Sequence, residues 1–254
     1  MGSKEGYIKH LSELRDWRPY LVKNSGLPGP RGNIELAQAV ADLGTTELFQ
    51  QYLDLDDSPT ASESEKEYLV FCGVLGLGKL AAEGDVGHLD ALRRYASDQR
   101  WRVREAVAMA LQRVGLADMD LLLWTATKWI AGGWLEQRAA AAGLCEPPLL
   151  ADARHARKAL ELLDAVTVNM TKATDRTTDA FRALRKGMGY CWSVAVAARP
   201  REGKKMMERW MASADADVAW VMKENLGKTR LSRIDPDWGD KCKKRLHPRK
   251  GGRG

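Results

Sequence analysis

Three short stretches of the chain pair an aromatic ring with a charge one helical turn later, and the first two are WRVREAV, with Trp101 and Glu105, and WLEQRAA, with Trp134 and Arg138. A spacing of four puts both side chains on one face of an α-helix. An indole offers a flat platform for stacking or for a cation, and a guanidinium forks onto phosphate oxygens. Rings and guanidiniums on one surface are the groups that nucleic-acid contact requires. The same spacing also suits a structural role, with the ring wedged between helices and the charge paired on the helix surface.

The unit recurs at Trp192 (WSVAVAA) and Trp220 (WVMKENL), where Val196 and Glu224 take the fourth place. A helical unit that returns every few dozen residues indicates stacked repeats. Around the first copy, Val103, Ala106, Val107, Ala110, Leu111 and Val114 follow the i, i+3, i+4, i+7 stripe of a core-facing helix. Trp101, Glu105, Ala108 and Gln112 lie on a separate line of that helix, as Trp134, Arg138, Ala141 and Cys145 do on the next. No run alternates convincingly with a period of two. The expected fold is therefore all-α, an α-solenoid of HEAT or armadillo-like repeats over residues 1–235, with the polar lines facing a concave groove.

The periodicity predicts a first helix from about Tyr7 to Lys23, then a break at GLPGPRGN and a second helix capped by Asn33. Further helices are expected at about Glu47–Leu53, Ser64–Ala82, Val86–Tyr95, Trp101–Val114, Met119–Ala131 and from Trp134 to the Pro147–Pro148 stop. The last ones cover about Ala151–Thr174, Asp179–Arg199, Pro200–Ala212 and Asp217–Lys228. GVLGLGK from Gly73 lacks the spacing of a phosphate loop, and its glycines are expected to let helices approach closely.

At 254 residues with 44% hydrophobic content, the chain can bury a sizeable core. Its apolar runs are shorter than a membrane span and it opens without a secretory h-region, so a cytoplasmic location without membrane contact is expected. Cys72, Cys145, Cys191 and Cys242 form no Cys-x-x-Cys pair and are read as buried thiols. Neither they nor the scattered histidines His10, His88, His155 and His247 have metal-ligand spacing; no metal or cofactor is expected. The net charge of +6 is concentrated from Lys228 onward, where ten basic residues face three acidic ones. Residues 236–254 are expected to form a basic, partly disordered arm suited to phosphate.

At Trp101, Glu105, Lys128 to Ala131 and Gln137 to Ala141 the chain resembles the AlkD-like DNA alkylation repair family, HEAT-like glycosylases acting on cationic N-alkylated purines. That family carries a W-x-x-x-D motif and, at a similar interval, Q-R-A-A; here the text is W-R-V-R-E and KWIAGGWLEQRAA. The resemblance covers about residues 100–145. It implies that Glu105, in the place of an aspartate, stabilises the oxocarbenium sugar and positions water, that Arg138 holds a backbone phosphate, and that Trp101 holds the cationic base. The glutamate is one methylene longer than the family's acid, a displacement that matters at a reacting centre.

The leading expectation is a repeat protein that contacts duplex DNA or another polyanion through its backbone phosphates. Trp101 and Trp134 would serve as platforms and Arg104, Lys128, Arg138, Arg182, Arg185, Lys186, Lys223, Lys228 and Arg230 as cations. The alternatives are an AlkD-like glycosylase using Glu105, Arg138 and Trp101, and a protein-binding scaffold.

Overall fold

A computed structural model describes residues 2–57 and 62–246. The chain divides into two compact units, Met1–Asp118 and Met119–Gly254. All regular structure among the described residues is helical. Pro59 in the acidic connection and residues 247–254, with His247, Arg249, Lys250 and Arg253, lie outside the described residues.

The first unit contains α1 (Lys4–Ser12), α2 (Arg18–Asn24), α3 (Ile34–Leu43), α4 (Thr46–Leu53), α5 (Glu63–Ala82), α6 (His88–Tyr95) and α7 (Trp101–Ala117). The single helix expected from Tyr7 to Lys23 is thus two. Pro19 has no N–H to give to the preceding turn, so it stands in the first turn of a new helix, where none is needed. Asn33 caps α3 as its residue type predicts, accepting from the Leu36 amide at 3.1 Å while its own amide donates to Tyr7 Oη and the Asn24 carbonyl.

Odd-numbered helices pack in a row, α1 on α3, α3 on α5 and α5 on α7, and α4 and α6 also pack on α5. The centre of this unit is α5, buried continuously from Tyr68 to Gly78. Its glycines permit the approach: a methyl at Gly76 would lie 2.2 Å from the Phe49 ring, and one at Gly78 would lie 2.6 Å from the Ala110 Cα. On α7 the predicted stripe from Val103 to Val114 is buried, and so is Ala108, so only Trp101, Glu105 and Gln112 of the polar line reach the surface.

The second unit comprises α8 (Met119–Trp129), α9 (Trp134–Leu144), a 3₁₀ turn Pro147–Leu150, α10 (Ala153–Thr171), α11 (Asp179–Ala198) and α12 (Pro200–Met211), followed by α13 (Ala216–Leu226), α14 (Thr229–Ile234) and α15 (Pro236–Leu246). A row recurs here, α9 on α11, α11 on α13 and α13 on α15, and α10 and α12 also pack on α11. Buried Asn225 ties α13 to α11: its Oδ1 accepts from the Ser193 amide at 2.7 Å and its amide donates to the Met188 carbonyl at 2.8 Å.

The first part of the basic arm expected over residues 236–254 is helical. Pro236–Leu246 is a helix, begun by proline and docked through buried Cys242, with the Trp238 indole donating to Glu208 at 2.6 Å. Lys241, Lys243, Lys244 and Arg245 occupy its exposed surface. Charge density hid a heptad-like pair of anchors at Trp238 and Cys242, one helical turn apart. No helix among the described residues is long and apolar enough to cross a membrane.

Candidate functional site

The start of α7 is held by the arginines that alternate with its functional residues. Arg100 grips Asp56 with both guanidinium nitrogens, at 2.6 and 3.0 Å, and Asp98 at 2.6 Å. Arg104 donates to the carbonyls of Asp98 and Gln99 at 2.5 and 2.8 Å. Expected on sequence grounds to meet phosphate, Arg104 is in place a brace for the loop before Trp101. Arg102 donates to Glu67 at 3.0 Å and to the Gly29 carbonyl at 2.9 Å, with its guanidinium carbon 4.7 Å from the centre of the Trp101 ring.

These contacts leave Trp101 52% exposed at a cavity of about 230 Å³ in the first unit. Its walls combine Tyr68, Phe71 and Leu27 with the carboxylates of Glu67 and Glu105. Tyr68 is fixed by donating to the Asn33 carbonyl at 2.8 Å, and burial raises its phenol well above the ordinary range. The predicted pair Trp101 and Glu105 therefore lines one cavity. Glu67, Tyr68, Phe71 and Arg102 belong to the same wall and were not singled out from the sequence. Glu67, Tyr68 and Phe71 sit in a long apolar helix about 35 residues upstream, and only tertiary packing brings that stretch to α7. Arg31 and Arg102 line the cavity as well, Arg102 paired with Glu67, so its charged groups are two carboxylates and two guanidiniums, and its aromatic surface suits the faces of a flat group.

The remaining predicted residues belong to the second unit. Trp134 meets Phe181 edge to face with ring centres 5.5 Å apart. The stem of Arg138 crosses α11 at Gly187, where an added methyl would stand 3.3 Å from Arg138 Cγ. Two residues on, Gly189 makes the corresponding room for Trp220 at 3.2 Å. Arg185 lies over the Trp220 ring at 3.9 Å, its Nε 2.7 Å from Asp217 Oδ1, which balances its charge inside the fold. Arg182 is exposed beside Asp179 at 3.2 Å, and Lys186 and Lys223 are exposed. Lys228 is half-buried, and Arg230 lies over Tyr190 at 4.6 Å. Lys128 stands 3.5 Å above Trp124, itself 54% exposed, an aromatic–cation pair of which the sequence reading named only the lysine.

Trp192 has no place in any site. It is fully buried, its indole donating to Thr167 Oγ1 at 3.1 Å. All four cysteines are buried, as read from the sequence; burial raises the Cys145 thiol well above its usual value, with neighbouring Cys191 adding to the effect. Searched against models of protein families and against curated proteins, the chain matches none.

Proposed function

We propose that this chain binds duplex DNA and receives a cationic, planar nucleobase against Trp101. The observation that carries the reading is the placement of Trp101. An indole half exposed at a cavity that joins aromatic rings to Glu67, Glu105, Arg31 and Arg102 is a surface that a ligand would cover, whereas a wedge between helices would be buried.

Charge supports the polyanion. The second unit holds 26 basic and 16 acidic residues, a net +10, and its α15 presents Lys241, Lys243, Lys244 and Arg245 to solvent. Phosphates would be met there and at Lys128, Lys186 and Lys223, while Arg104 and Arg185 serve the fold. The row-wise packing of alternate helices within each unit supports the stacked, HEAT-like reading of the architecture.

A second reading is favoured by Glu105 on the cavity wall. An N-alkylated purine is already a good leaving group, so a single carboxylate that stabilises the developing oxocarbenium ion and orients water suffices for glycosidic hydrolysis. Duplex affinity should fall steeply with salt, and methylated duplex should bind more tightly than unmodified duplex through Trp101. Salt-insensitive or absent binding sinks the DNA reading. Release of 3-methyladenine or 7-methylguanine by the wild type but not by Glu105→Gln establishes hydrolysis; no release under single-turnover conditions removes it. A partner whose capture survives nuclease treatment, without DNA affinity, would favour a protein scaffold instead.

A further inference from the structure

A second cavity, of about 470 Å³, opens in the second unit between the 3₁₀ turn after α9, the end of α11 and α14. Its walls are Pro147 and Leu150 of the turn, Val194, Ala197 and Ala198 of α11, and the side chain of Arg230. Ala151 completes the lining, so six of its seven residues are apolar. Arg230 is the single charge, and it was expected to meet DNA phosphate.

The surroundings of Arg230 argue for another role. Among the described residues, its polar partner is the hydroxyl of Tyr190, which accepts from a guanidinium nitrogen at 2.5 Å while the ring lies beneath the guanidinium carbon at 4.6 Å. A phenol brings no negative charge to the guanidinium, in contrast to the carboxylates that meet Arg100, Arg102, Arg176 and Arg199. A guanidinium carries five donors, and one aromatic neighbour cannot satisfy them. The volume lies within the range of small-molecule sites, in which apolar walls supply area and a few polar groups set orientation. Phosphate on a nucleic-acid backbone would gain nothing from walls of proline, leucine, valine and alanine.

We infer that this cavity binds a small amphipathic carboxylate, with its hydrocarbon body against the accessible side chains of Pro147, Ala151 and Ala197 and its carboxylate paired with Arg230. The bidentate geometry of guanidinium and carboxylate selects the head group, and the apolar wall selects the tail. This site is independent of the Trp101 cavity and of DNA.

Equilibrium dialysis of the full chain with decanoate, decanol and decyltrimethylammonium tests it. Decanoate should bind saturably, one per chain, at least tenfold more tightly than either comparator. Arg230→Gln should bring decanoate to the affinity of decanol and leave decanol unchanged. Ala198→Trp, at an exposed position at the cavity rim, should abolish both, with an unchanged thermal transition showing that the fold is intact. Equal binding of decanoate and decanol, an undiminished affinity in Arg230→Gln, or an unaffected Ala198→Trp overturns the inference. So does capture of a peptide with an apolar C-terminal residue when decanoate does not bind. Arg230→Gln should also leave the salt dependence of duplex binding unchanged; a lower slope without loss of decanoate would return Arg230 to the phosphate contacts.

Discussion

The two units use the same kind of helix under opposite charge. Met1–Asp118 holds 14 basic and 18 acidic residues, a net −4, and its surface basic side chains around α7 are consumed by carboxylates and carbonyls. The second unit, at +10, keeps cations on the exposed faces of α11, α13 and α15. The tryptophans follow different rules as well. Trp101 opens its helix and stands outside, whereas Trp192 lies deep in α11, which packs on α9, α10, α12 and α13, and is enclosed. Position in the helix and the number of neighbours, rather than the residue type, decide whether a ring is core or contact surface.

The sharpest way to break that contrast is to remove both rings. Trp192→Ala leaves a large cavity and removes the hydrogen bond that Thr167 Oγ1 accepts, the hydroxyl keeping its own bond to the Leu163 carbonyl, and should cost about 3–5 kcal/mol of stability in urea titrations. Trp101→Ala should cost less than about 1 kcal/mol, since half of the ring never left solvent, while abolishing any preference for methylated duplex. Equal losses of stability would show the two tryptophans to be the same structural part.

The charge contrast is tested next. Lys243→Gln with Lys244→Gln on the exposed side of α15 should lower the slope of log affinity against log salt by about 1.8, two contacts at about 0.9 each. Substituting Lys66 and Lys79 of the first unit in the same way should leave that slope unchanged. A change of slope from the first unit would locate phosphate contact on the acidic side and end the division of labour proposed above.

The smallest effect concerns acid. Arg176 donates to Asp215 at 2.6 Å and holds its carboxyl below the ordinary range, with the Val218 and Asp217 amides assisting. A depressed folded-state value means that the contribution is complete above the unfolded value of about 3.9 and is lost as the pH falls through the folded one. Asp215→Asn should therefore cost about 1 kcal/mol at neutral pH, and its stability should converge with the wild type in strong acid. The first unit has its own clamp at Asp42, where Arg113 and Lys4 outweigh the burial that alone would raise the carboxyl. A gap that persists at low pH would assign the Asp215 effect to packing.

Much of the helical content was legible because apolar residues at i, i+3 and i+4 leave a periodic trace, and Asn33, Pro147 and Pro200 mark ends by chemistry that acts within one turn. The mistakes were local too. Apolar residues continue on both sides of Pro19 and hide the break there, and the anchors of α15, Trp238 and Cys242, are sparse among lysines and leave little periodic trace. The glycines of α5 were read correctly as contact points, but nothing in GVLGLGK names Phe49 or Ala110 as what they touch.

For the site, the sequence determined on its own that Trp101 and Glu105 share a helix face, since a spacing of four fixes that wherever the helix lies. Only the tertiary structure decided that Glu67, Tyr68 and Phe71 complete the cavity, that Arg104 and Arg185 are spent on the fold, and that Trp192 is core. The physical reason is range. Helical periodicity and capping act over a few residues and are written in consecutive letters, whereas burial and ion pairing depend on which distant helix arrives to exclude water or supply the opposite charge.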